Sequence, residues 1–292
     1  MRVMVALMLS LLALGPNTDA AGWQRASLGA VELEYQLRGA GAPVVFVHAG
    51  VFADWFGPLM DEPALRPFQL VSYHRIGYAN SSRVTRSTSI AEQSAQLKLL
   101  LAQLGLRSVQ LVGHSSGALI AMQLALDAPE AVQTLTLLEP ALPVSGPSPG
   151  IAAAISQYRA GKHDLAIDTF MRTVAGPDYR ATIEHINPQA FDQAIVDAPT
   201  FFEYELPAVR AFSFGADDAK RLRAPVLVVM GERSDEVSPI WRQRHELLLR
   251  WIPAAESFVL PRATHLLQLQ NSRAMAERLA AFFSKDRDRP SR

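Results

Sequence analysis

The stretch Ser108-Val-Gln-Leu-Val-Gly-His-Ser-Ser-Gly117 decides the fold of this 292-residue chain. Val109 to Val112 is a short apolar run that predicts a strand, and a helical pattern follows from Ala118 to about Asp127. The pattern G-x-S-x-G between a strand and a helix predicts a sharp turn, because the two flanking glycines have no Cβ to collide with a neighbouring strand or helix. This turn, the nucleophile elbow, makes Ser115 the candidate nucleophile.

Composition limits the classes of function. Lys+Arg and Asp+Glu number 28 each, so the sequence predicts no basic face for nucleic acid. The absence of cysteine excludes disulfides, thiolate zinc sites and a cysteine nucleophile. The histidines show no H-E-x-x-H or similar spacing, so we expect no metal. We expect a small-molecule substrate, no nucleic-acid partner and no cofactor, and the sequence leaves the oligomeric state open.

Residues 1–21 have the layout of a secretory signal peptide. Arg2 supplies a positive charge, Val3 to Leu14 is almost wholly apolar, and a polar region of small residues follows. Cleavage is expected after Ala20 or Ala21. The apolar run is too short to span a bilayer comfortably. We therefore expect a periplasmic or secreted protein with no stable membrane anchor after leader removal, with a cytoplasmic protein as the alternative.

Strand and helix patterns alternate along the rest of the chain, which predicts an α/β fold with a mostly parallel sheet flanked by helices. The predicted strands are Gln24–Leu28, Val31–Leu37, Val44–Val47, Phe68–Tyr73, Val109–Val112, Thr134–Leu138, Val226–Met230 and Ser257–Leu260. Outside the elbow helix, the predicted helices are Asp54–Leu65, a capped helix from Ser89 to Leu104, Ile240–Trp251 and Ala274–Phe283.

The pattern changes from Ala141 to Arg223, where short amphipathic helical stretches replace strands. We interpret residues 141–223 as a helical lid inserted into a core formed by residues 22–140 and 224–284. The charged residues 285–292 are predicted to be a disordered tail. Phe170 and Phe202, within the lid, are candidate substrate contacts, and the alternative is that they belong to a small core of the lid itself.

Three polar groups follow predicted strands, and parallel strands bring their carboxyl ends to one edge of a sheet. Ser115 needs a base within hydrogen-bond reach, and His265, in the loop after the last strand, is the best candidate. The acid that holds this imidazole is either Glu139 or Asp235. Asp235 follows the strand after which the acid more commonly lies, but it comes one residue late, with Ser234 at the usual position. We favour Glu139, because a carboxylate pressed against a proline at a buried strand end is costly without a function.

Backbone N–H groups near the elbow are the candidate oxyanion donors. The N–H of Ser116 lies at the N-terminus of the predicted helix. The loop His48-Ala-Gly-Val-Phe52 follows a buried strand, and we assign the second donor to Gly50, with Val51 as the alternative. We interpret His48 as a structural residue that hydrogen-bonds loop backbone rather than as a base. Val51 and His114 are also assigned as substrate contacts.

Together these residues resemble the α/β-hydrolase superfamily over essentially the whole chain after the leader. The resemblance rests on the elbow G-H-S-S-G, the loop that begins at His48, the A-T-H that ends at His265, and the helical insertion after the sixth strand. It implies the α/β-hydrolase fold, with its eight-stranded type of sheet, and leaves the substrate open. Some haloalkane dehalogenases of the superfamily carry a catalytic Glu after the same strand, which supports Glu139, although those enzymes use Asp where this chain has Ser115.

Two segments depart from the pattern of the superfamily. His74-Arg-Ile-Gly-Tyr-Ala-Asn-Ser81 stands where Asp-Arg-x-Gly-x-Gly-x-Ser is usual, and Ala49 stands where Gly is common. Neither removes a residue of the triad. The resemblance therefore implies a serine hydrolase that cleaves a carboxylic ester or related acyl bond of a small, partly apolar substrate. The alternatives are a C–C bond hydrolase, a cofactor-free haloperoxidase, or a ligand receptor on a hydrolase scaffold.

Overall fold

One eight-stranded sheet forms the centre of the protein. The computed structural model describes residues 22–287 except Ser145 and Pro147. The predicted signal peptide and residues 288–292 of the predicted tail lie outside the described residues. The strands are β1 (Gln24–Ser27), β2 (Glu32–Arg38), β3 (Ala42–Val47), β4 (Phe68–Tyr73), β5 (Val109–His114), β6 (Val132–Leu138), β7 (Val226–Gly231) and β8 (Glu256–Leu260).

The sheet has the order β1-β2-β4-β3-β5-β6-β7-β8, and β2 alone runs against the other seven strands. Every residue of β5 and β7 is buried, which explains their continuous apolar runs, because helices cover both faces of a parallel sheet. The predicted α/β fold with a mostly parallel sheet is confirmed. β1 and β2 form an antiparallel hairpin at one end of the sheet, with Gln24 opposite Tyr35.

Helices cover both faces of this sheet. The α-helices of the covering layers are α1 (Gly57–Met60), α2 (Ile90–Gln103), α3 (Ser116–Asp127), α10 (Ser234–Val237), α11 (Ile240–Trp251) and α12 (Ser272–Arg287). Residues of α2, α3 and α11 contribute to one buried apolar cluster, and residues of α1 and α12 contribute to the other. Single 3₁₀ turns lie at Pro63–Leu65, Pro129–Ala131 and Leu267–Leu269. In the part of the chain that the structure describes, no helix has the length and apolar character to cross a membrane.

Between β6 and β7 the chain forms further helices, and we call residues 141–223 the insertion. These helices are α4 (Pro149–Arg159), α5 (His163–Ala175), α6 (Tyr179–Ile186), α7 (Ala190–Pro199), a π-helical segment (Thr200–Glu205), α8 (Leu206–Ala211) and α9 (Ala216–Ala219). Buried residues of the insertion such as Ile167, Met171 and Ile183 join the apolar cluster on the side of α12. The insertion therefore packs directly on the sheet domain.

Three predicted elements differ from the structure. The predicted helix Asp54–Leu65 is only α1 and a 3₁₀ turn, because the ring of Pro63 cannot continue a helix. The helical stretch that the sequence predicts over Phe201–Ala211 is split into the π-helical segment and α8, and Pro207 supplies no N–H where the two meet. The prediction of disorder from residue 285 is wrong for residues 285–287, which continue α12, and Lys285 forms an ion pair with Glu256 at 2.8 Å.

Candidate active site

Ser115 occupies a strained turn between β5 and α3. Its backbone has φ 52° and ψ −117°, and a positive φ in a residue with a Cβ is sparsely populated and stores strain. Hydrogen bonds hold the turn in place. The N–H of Ser115 donates to the carbonyl of Leu138 at 2.9 Å, and its own carbonyl accepts the N–H groups of Ala118 and Ala141, each at 3.1 Å.

The two glycines of the elbow allow this turn to lie against its neighbours. A Cβ added at Gly117 would lie 2.3 Å from the carbonyl oxygens of Val47 and His48. A Cβ added at Gly113 would lie 2.5 Å from the Cα of Ala118. Both positions exclude any larger residue, so the geometry that the G-x-S-x-G pattern predicted is present.

His265 and Glu139 form a buried hydrogen-bonded pair beside the elbow. Nδ1 of His265 lies 2.7 Å from Oε2 of Glu139, and the two side chains are 4% and 1% exposed. The other carboxylate oxygen, Oε1, accepts the N–H of Gly231 at 2.8 Å. Glu139 also has a positive φ, 40°, and its N–H donates to the carbonyl of Val229. The structure thus brings His265 together with the carboxylate that the sequence favoured.

Burial shifts the pKa values of this pair toward the neutral forms. Desolvation raises the pKa of Glu139 to about 7, against the opposing effect of the Gly231 N–H. Desolvation lowers the pKa of His265 to about 3. His265 is therefore neutral at neutral pH. Because its Nδ1–H is donated to Glu139, its Nε2 carries the lone pair that a general base needs.

Asp235 lies apart from this pair. Its carboxylate forms an ion pair with Arg242 of α11, and among the described residues it makes no hydrogen bond to His265. Ser234, which holds the usual position of the acid, is fully buried close to Glu139. Of the two alternatives that the sequence left open, only Glu139 is brought to the imidazole.

Two aromatic rings contact the His265 imidazole. Trp241 stacks on it at a centroid distance of 3.9 Å and an angle of 15°. His114 lies 4.8 Å away, and its Nε2–H donates to the His265 carbonyl at 3.0 Å while Nδ1 accepts the side-chain amide of Gln268 at 3.3 Å. The structure gives no support to the predicted substrate contact at His114, because the ring is fully buried and protein groups occupy both of its nitrogens.

The backbone of the loop after β3 and the start of α3 supply two N–H groups beside Ser115. Within the described part of the chain, neither Gly50 nor Ser116 donates its N–H to an acceptor. The carbonyl of Gly50 accepts the N–H of Phe52 at 2.9 Å and the indole N–H of Trp55 at 3.1 Å. These bonds fix the orientation of the loop, which is what a preorganised donor requires.

His48 and Arg75 support this loop. Nε2 of His48 accepts the backbone N–H of Arg75 at 2.9 Å, and its Nδ1–H donates to the carbonyl of Ala49 at 2.6 Å. The guanidinium of Arg75 donates to the same carbonyl at 3.1 Å. Burial holds the pKa of His48 well below its ordinary value. The interpretation of His48 as a structural residue that hydrogen-bonds loop backbone is confirmed.

A cavity of about 390 Å³ lies between the elbow and the insertion. We call it the Ser115 cavity. Its lining residues are Ala49, Gly50, Trp55, Ser115, Ser116, Ala141, Phe170, Met171, Val174, Phe201, Glu205, Leu206, Val209 and His265. Most of these side chains are apolar, and the polar side chains among them are Ser115, Ser116, Glu205 and His265. In the part of the chain that is described, no cluster of three or more His, Asp or Glu residues could hold a metal ion.

The three other predicted substrate contacts, Phe170, Phe202 and Val51, lie in different places. Phe170 lies on the wall of the Ser115 cavity. Phe202 does not line the Ser115 cavity, because its ring stacks on Tyr158 at 4.8 Å and borders a separate surface cavity. Val51 lines a neighbouring cavity between the loop and the insertion, so it does not contact the space at Ser115.

A profile of the alpha/beta hydrolase family matches residues 44–278. The chain belongs to the alpha/beta hydrolase family. A Klebsiella pneumoniae protein assigned as the carbamate hydrolase RutD is 41% identical over 100 residues, which are 34% of this chain and 38% of that protein. In this relative and two other curated relatives, the chain spans between 34% and 42% of the relative's own length.

Solved structures of two hydrolases share the fold. An esterase from Thermogutta terrifontis matches with a TM-score of 0.75 and 20% identity over 91% of this chain and 99% of that chain. A 2-hydroxy-6-oxo-6-phenylhexa-2,4-dienoate hydrolase from Rhodococcus sp. strain RHA1 matches with a TM-score of 0.74 and 22% identity over 90% of this chain and 98% of that chain. At these identities the likeness shows the fold and leaves the reaction open.

Sequence reasoning missed one buried ionic cluster in this hydrolase. Glu205 of the insertion accepts two hydrogen bonds from the guanidinium of Arg75, at 2.9 and 3.0 Å, and one from the hydroxyl of Tyr78. Arg75 also donates to the side chain of Gln93 at 3.0 Å. The cluster joins the loop that departs from the usual pattern of the superfamily to the wall of the Ser115 cavity. The sequence signal was weak, because Glu205 is one of two acids in the segment Thr200–Glu205 and nothing in the sequence distinguishes it from the exposed Glu203.

Proposed function

We propose that this alpha/beta hydrolase cleaves a carboxylic ester or related acyl bond through a serine nucleophile. One observation carries the proposal: Ser115, His265 and two backbone N–H groups without acceptors border one cavity, and Glu139 holds the imidazole. A serine hydroxyl needs an adjacent base, and the base needs a group that orients it. Each of these groups is present at the carboxyl edge of the sheet.

The reaction uses two acyl transfers. Ser115 attacks the carbonyl carbon, and its proton passes to Nε2 of His265. The N–H groups of Ser116 and Gly50 hold the oxyanion that forms. His265 then gives the proton to the leaving alcohol, and the acyl group stays on Ser115. A water molecule, deprotonated by the same imidazole, releases the acid. Glu139 keeps the imidazole oriented and offsets its charge at both steps.

The proposed substrate is small and partly apolar. Phe170, Met171 and Phe201 provide an apolar wall of the Ser115 cavity. An apolar acyl chain fits such a wall, because these side chains offer no hydrogen bonds that the chain would leave unsatisfied. Carbamates are acyl derivatives of the same reactivity class, and the RutD relative is assigned to them. We therefore include carbamates with carboxylic esters among the bonds to be tested.

A fluorophosphonate tests the activated serine directly. The protein without its leader is incubated with the reagent, its intact mass is read, and the modified peptide is mapped. Ser115→Ala, Glu139→Gln and Asp235→Asn are treated in parallel. We expect one adduct on Ser115, none in Ser115→Ala, strong slowing in Glu139→Gln and little change in Asp235→Asn. A panel of p-nitrophenyl esters and carbamates of increasing chain length then gives the preferred acyl group.

Two results would redirect the proposal. An adduct at Ser115 without ester or carbamate turnover would favour C–C bond hydrolysis or cofactor-free haloperoxidase activity, which the same triad supports. A folded protein that forms no adduct would contradict an activated serine. A ligand receptor on a hydrolase scaffold would then be the better hypothesis, tested by ligand binding.

We also propose that the protein is exported to the periplasm or secreted. The proposal rests on the charge and apolar run of residues 1–21. Expression of the full chain with a C-terminal tag, followed by cell fractionation and N-terminal sequencing, tests it. A mature N-terminus at Ala21 or Gly22 in the exported fraction supports export, and an intact Met1 in the cytoplasmic fraction contradicts it.

A further inference from the structure

Arg244 of α11 is a cation without a hydrogen-bonded partner. Among the described residues its guanidinium forms no salt bridge and no hydrogen bond, and its Nε is fully buried. Burial lowers the pKa of Arg244 to about 10, with Glu139 acting in the opposite direction. The side chain therefore stays charged at neutral pH. A partly buried charge without a counter-ion is costly, so this position needs an explanation.

The side chain of Arg244 lines an open cavity of about 1600 Å³ beside the insertion. This cavity and the Ser115 cavity share four wall residues, Ala141, Val174, Leu206 and Val209. The two spaces therefore adjoin. A substrate that reaches from Ser115 to Arg244 would have to pass between these four residues.

Ring stacking fixes the position of Arg244 relative to the catalytic histidine. Its guanidinium carbon lies 5.0 Å from the ring centroid of Trp241, and Trp241 stacks on His265. The indole N–H of Trp241 donates to the carbonyl of Val174 at 3.1 Å, which anchors the ring to the insertion. A guanidinium placed over an aromatic ring is ordered without using its hydrogen-bond donors.

The other two arginines of this cavity differ from Arg244. Arg172 is half exposed and forms a salt bridge with Asp168 at 2.7 Å, and Arg210 is exposed to solvent. Both add positive potential at the mouth of the cavity. Arg244 alone combines partial burial, ordering on an aromatic ring and free donors.

We propose that Arg244 forms a carboxylate-binding subsite, so that the substrate is an acyl compound carrying a second, anionic carboxylate at the far end of its acyl chain. The proposal rests on the proposed function. The guanidinium fork matches a carboxylate in geometry and charge, and the bound anion supplies the missing counter-charge. The apolar residues shared by the two cavities contact the methylene chain between the two carbonyl groups.

A pair of matched esters tests this subsite. Mono-p-nitrophenyl esters of succinate, glutarate, adipate and suberate carry the free carboxylate, and the same esters with that carboxylate capped as a methyl ester do not. For wild-type protein we expect kcat/KM to favour the free carboxylate at one chain length. That length reports the separation of Arg244 from Ser115.

Arg244→Met identifies the group responsible. We expect the ratio of kcat/KM for the free acid to that for its methyl ester to fall by about 10- to 100-fold, the range for a hydrogen-bonded charge. Arg244→Lys keeps the charge but loses the forked pair of donors, so the ratio for this variant should lie between those of the wild type and Arg244→Met. Arg250→Met removes an exposed cation from the same helix and should leave the ratio unchanged. Equal losses on both esters would overturn the subsite and assign Arg244 to the support of Glu139 and His265.

A binding measurement tests the carboxylate subsite independently of the proposed hydrolase activity. Adipate and its dimethyl ester are titrated calorimetrically into Ser115→Ala, with and without Arg244→Met. Binding of adipate that requires Arg244 supports the subsite even if wild-type protein hydrolyses neither ester. Hydrolysis of the capped esters by wild-type protein, with no preference for free carboxylates and no binding of adipate, overturns the subsite and leaves the serine hydrolase intact.

Discussion

The Ser115 cavity has one wall from the sheet and one from the insertion. On the sheet side, Ser115 and Glu139 follow adjacent parallel strands, and both hold positive φ angles because backbone hydrogen bonds over-determine the two turns. On the insertion side, Phe201 and Glu205 lie on a π-helical segment that is bounded by two prolines. The candidate catalytic groups are thus fixed by backbone, whereas the insertion side of the cavity is fixed by side-chain contacts.

The two walls meet where Arg75 joins them. Its guanidinium donates to the carbonyl of Ala49 in the loop after β3 and to the carboxylate of Glu205. Gly50, next to Ala49, lies against Phe201 and Glu205 so closely that no Cβ fits. A disturbance of the insertion therefore reaches the loop after β3 through these contacts. We call the contacts of Arg75, Gly50, Phe201 and Glu205 the junction of the two walls. The comparison predicts that changes at the sheet wall abolish catalytic activity, and that changes at the junction also lower the stability of the fold.

The largest effect is expected on the sheet side, at Glu139. Glu139→Gln removes the acceptor for Nδ1–H of His265 and favours the wrong tautomer of the imidazole. We expect kcat/KM on an ester to fall by about 10⁴-fold, the loss seen when the acid of a triad becomes an amide. Asp235→Asn is the matched control and should change kcat/KM by less than about 2-fold, since its partner is Arg242. A reversal of the two results would assign the acid to Asp235.

The next effect tests the junction through its charges. Glu205→Ala leaves the guanidinium of Arg75, which is 2% exposed, without its counter-charge. We expect the free energy of unfolding to fall by about 3–5 kcal/mol in urea titrations. Glu203→Ala, a change of an exposed neighbour, should cost about 0.5 kcal/mol or less. The double variant Arg75→Met/Glu205→Leu should recover part of the loss, and a double variant as unstable as the sum of the singles would contradict coupling.

Gly50→Ala tests the junction through its packing. The new Cβ would lie 2.5 Å from the ring of Phe201 and 2.8 Å from Oε1 of Glu205, so either the loop or the insertion must move. We expect kcat to fall by about 10²- to 10³-fold, as when one oxyanion donor is lost, and stability to fall by about 1–3 kcal/mol. A Cβ at Gly57 meets nothing within 4 Å, so Gly57→Ala is the control. Unchanged kcat in Gly50→Ala would show that this loop supplies no oxyanion donor.

The same division explains what could be predicted from the sequence. The elbow and the strand ends depend on backbone rules of short range, such as glycines that flank a strained turn. His265 and Glu139 are 126 positions apart, and their pairing was expected because parallel strands bring their carboxyl ends to one edge and because a buried acid beside Pro140 is costly without a partner. The sheet follows from apolar runs of the correct length. These features could therefore be predicted from the sequence.

The insertion side could not be predicted in the same way. Phe170 on α5 and Phe202 on the π-helical segment have the same side chain, and only packing sends one to the Ser115 cavity and the other to Tyr158. Arg75 and Glu205 are 130 positions apart, so no local pattern links them. His114 belongs to the elbow motif, yet its role follows from the contacts of the mature fold.

The smallest predicted effect concerns pH, and it sharpens the account of the sheet wall. Desolvation raises the pKa of Glu139 to about 7, so the carboxyl takes up a proton as the pH falls through neutrality. Protonation removes the acceptor for Nδ1–H of His265, so activity is lost on the acid side and gained as the pH rises. We expect kcat/KM on a neutral p-nitrophenyl ester to fall about tenfold per pH unit well below an apparent pKa near 7, which belongs to the Glu139–His265 pair.

A pH–rate profile from pH 5 to 9 measures this apparent pKa, with circular dichroism as a check that the fold persists. Asp235→Asn should leave the acid limb at the same pH, because its carboxylate is not part of the pair. A limb centred near 4.5, the ordinary value for a glutamate, would mean that water reaches Glu139 in solution. The sheet wall would then be more accessible to solvent than its buried hydrogen bonds indicate. The difference between the two walls would be smaller than the structure indicates.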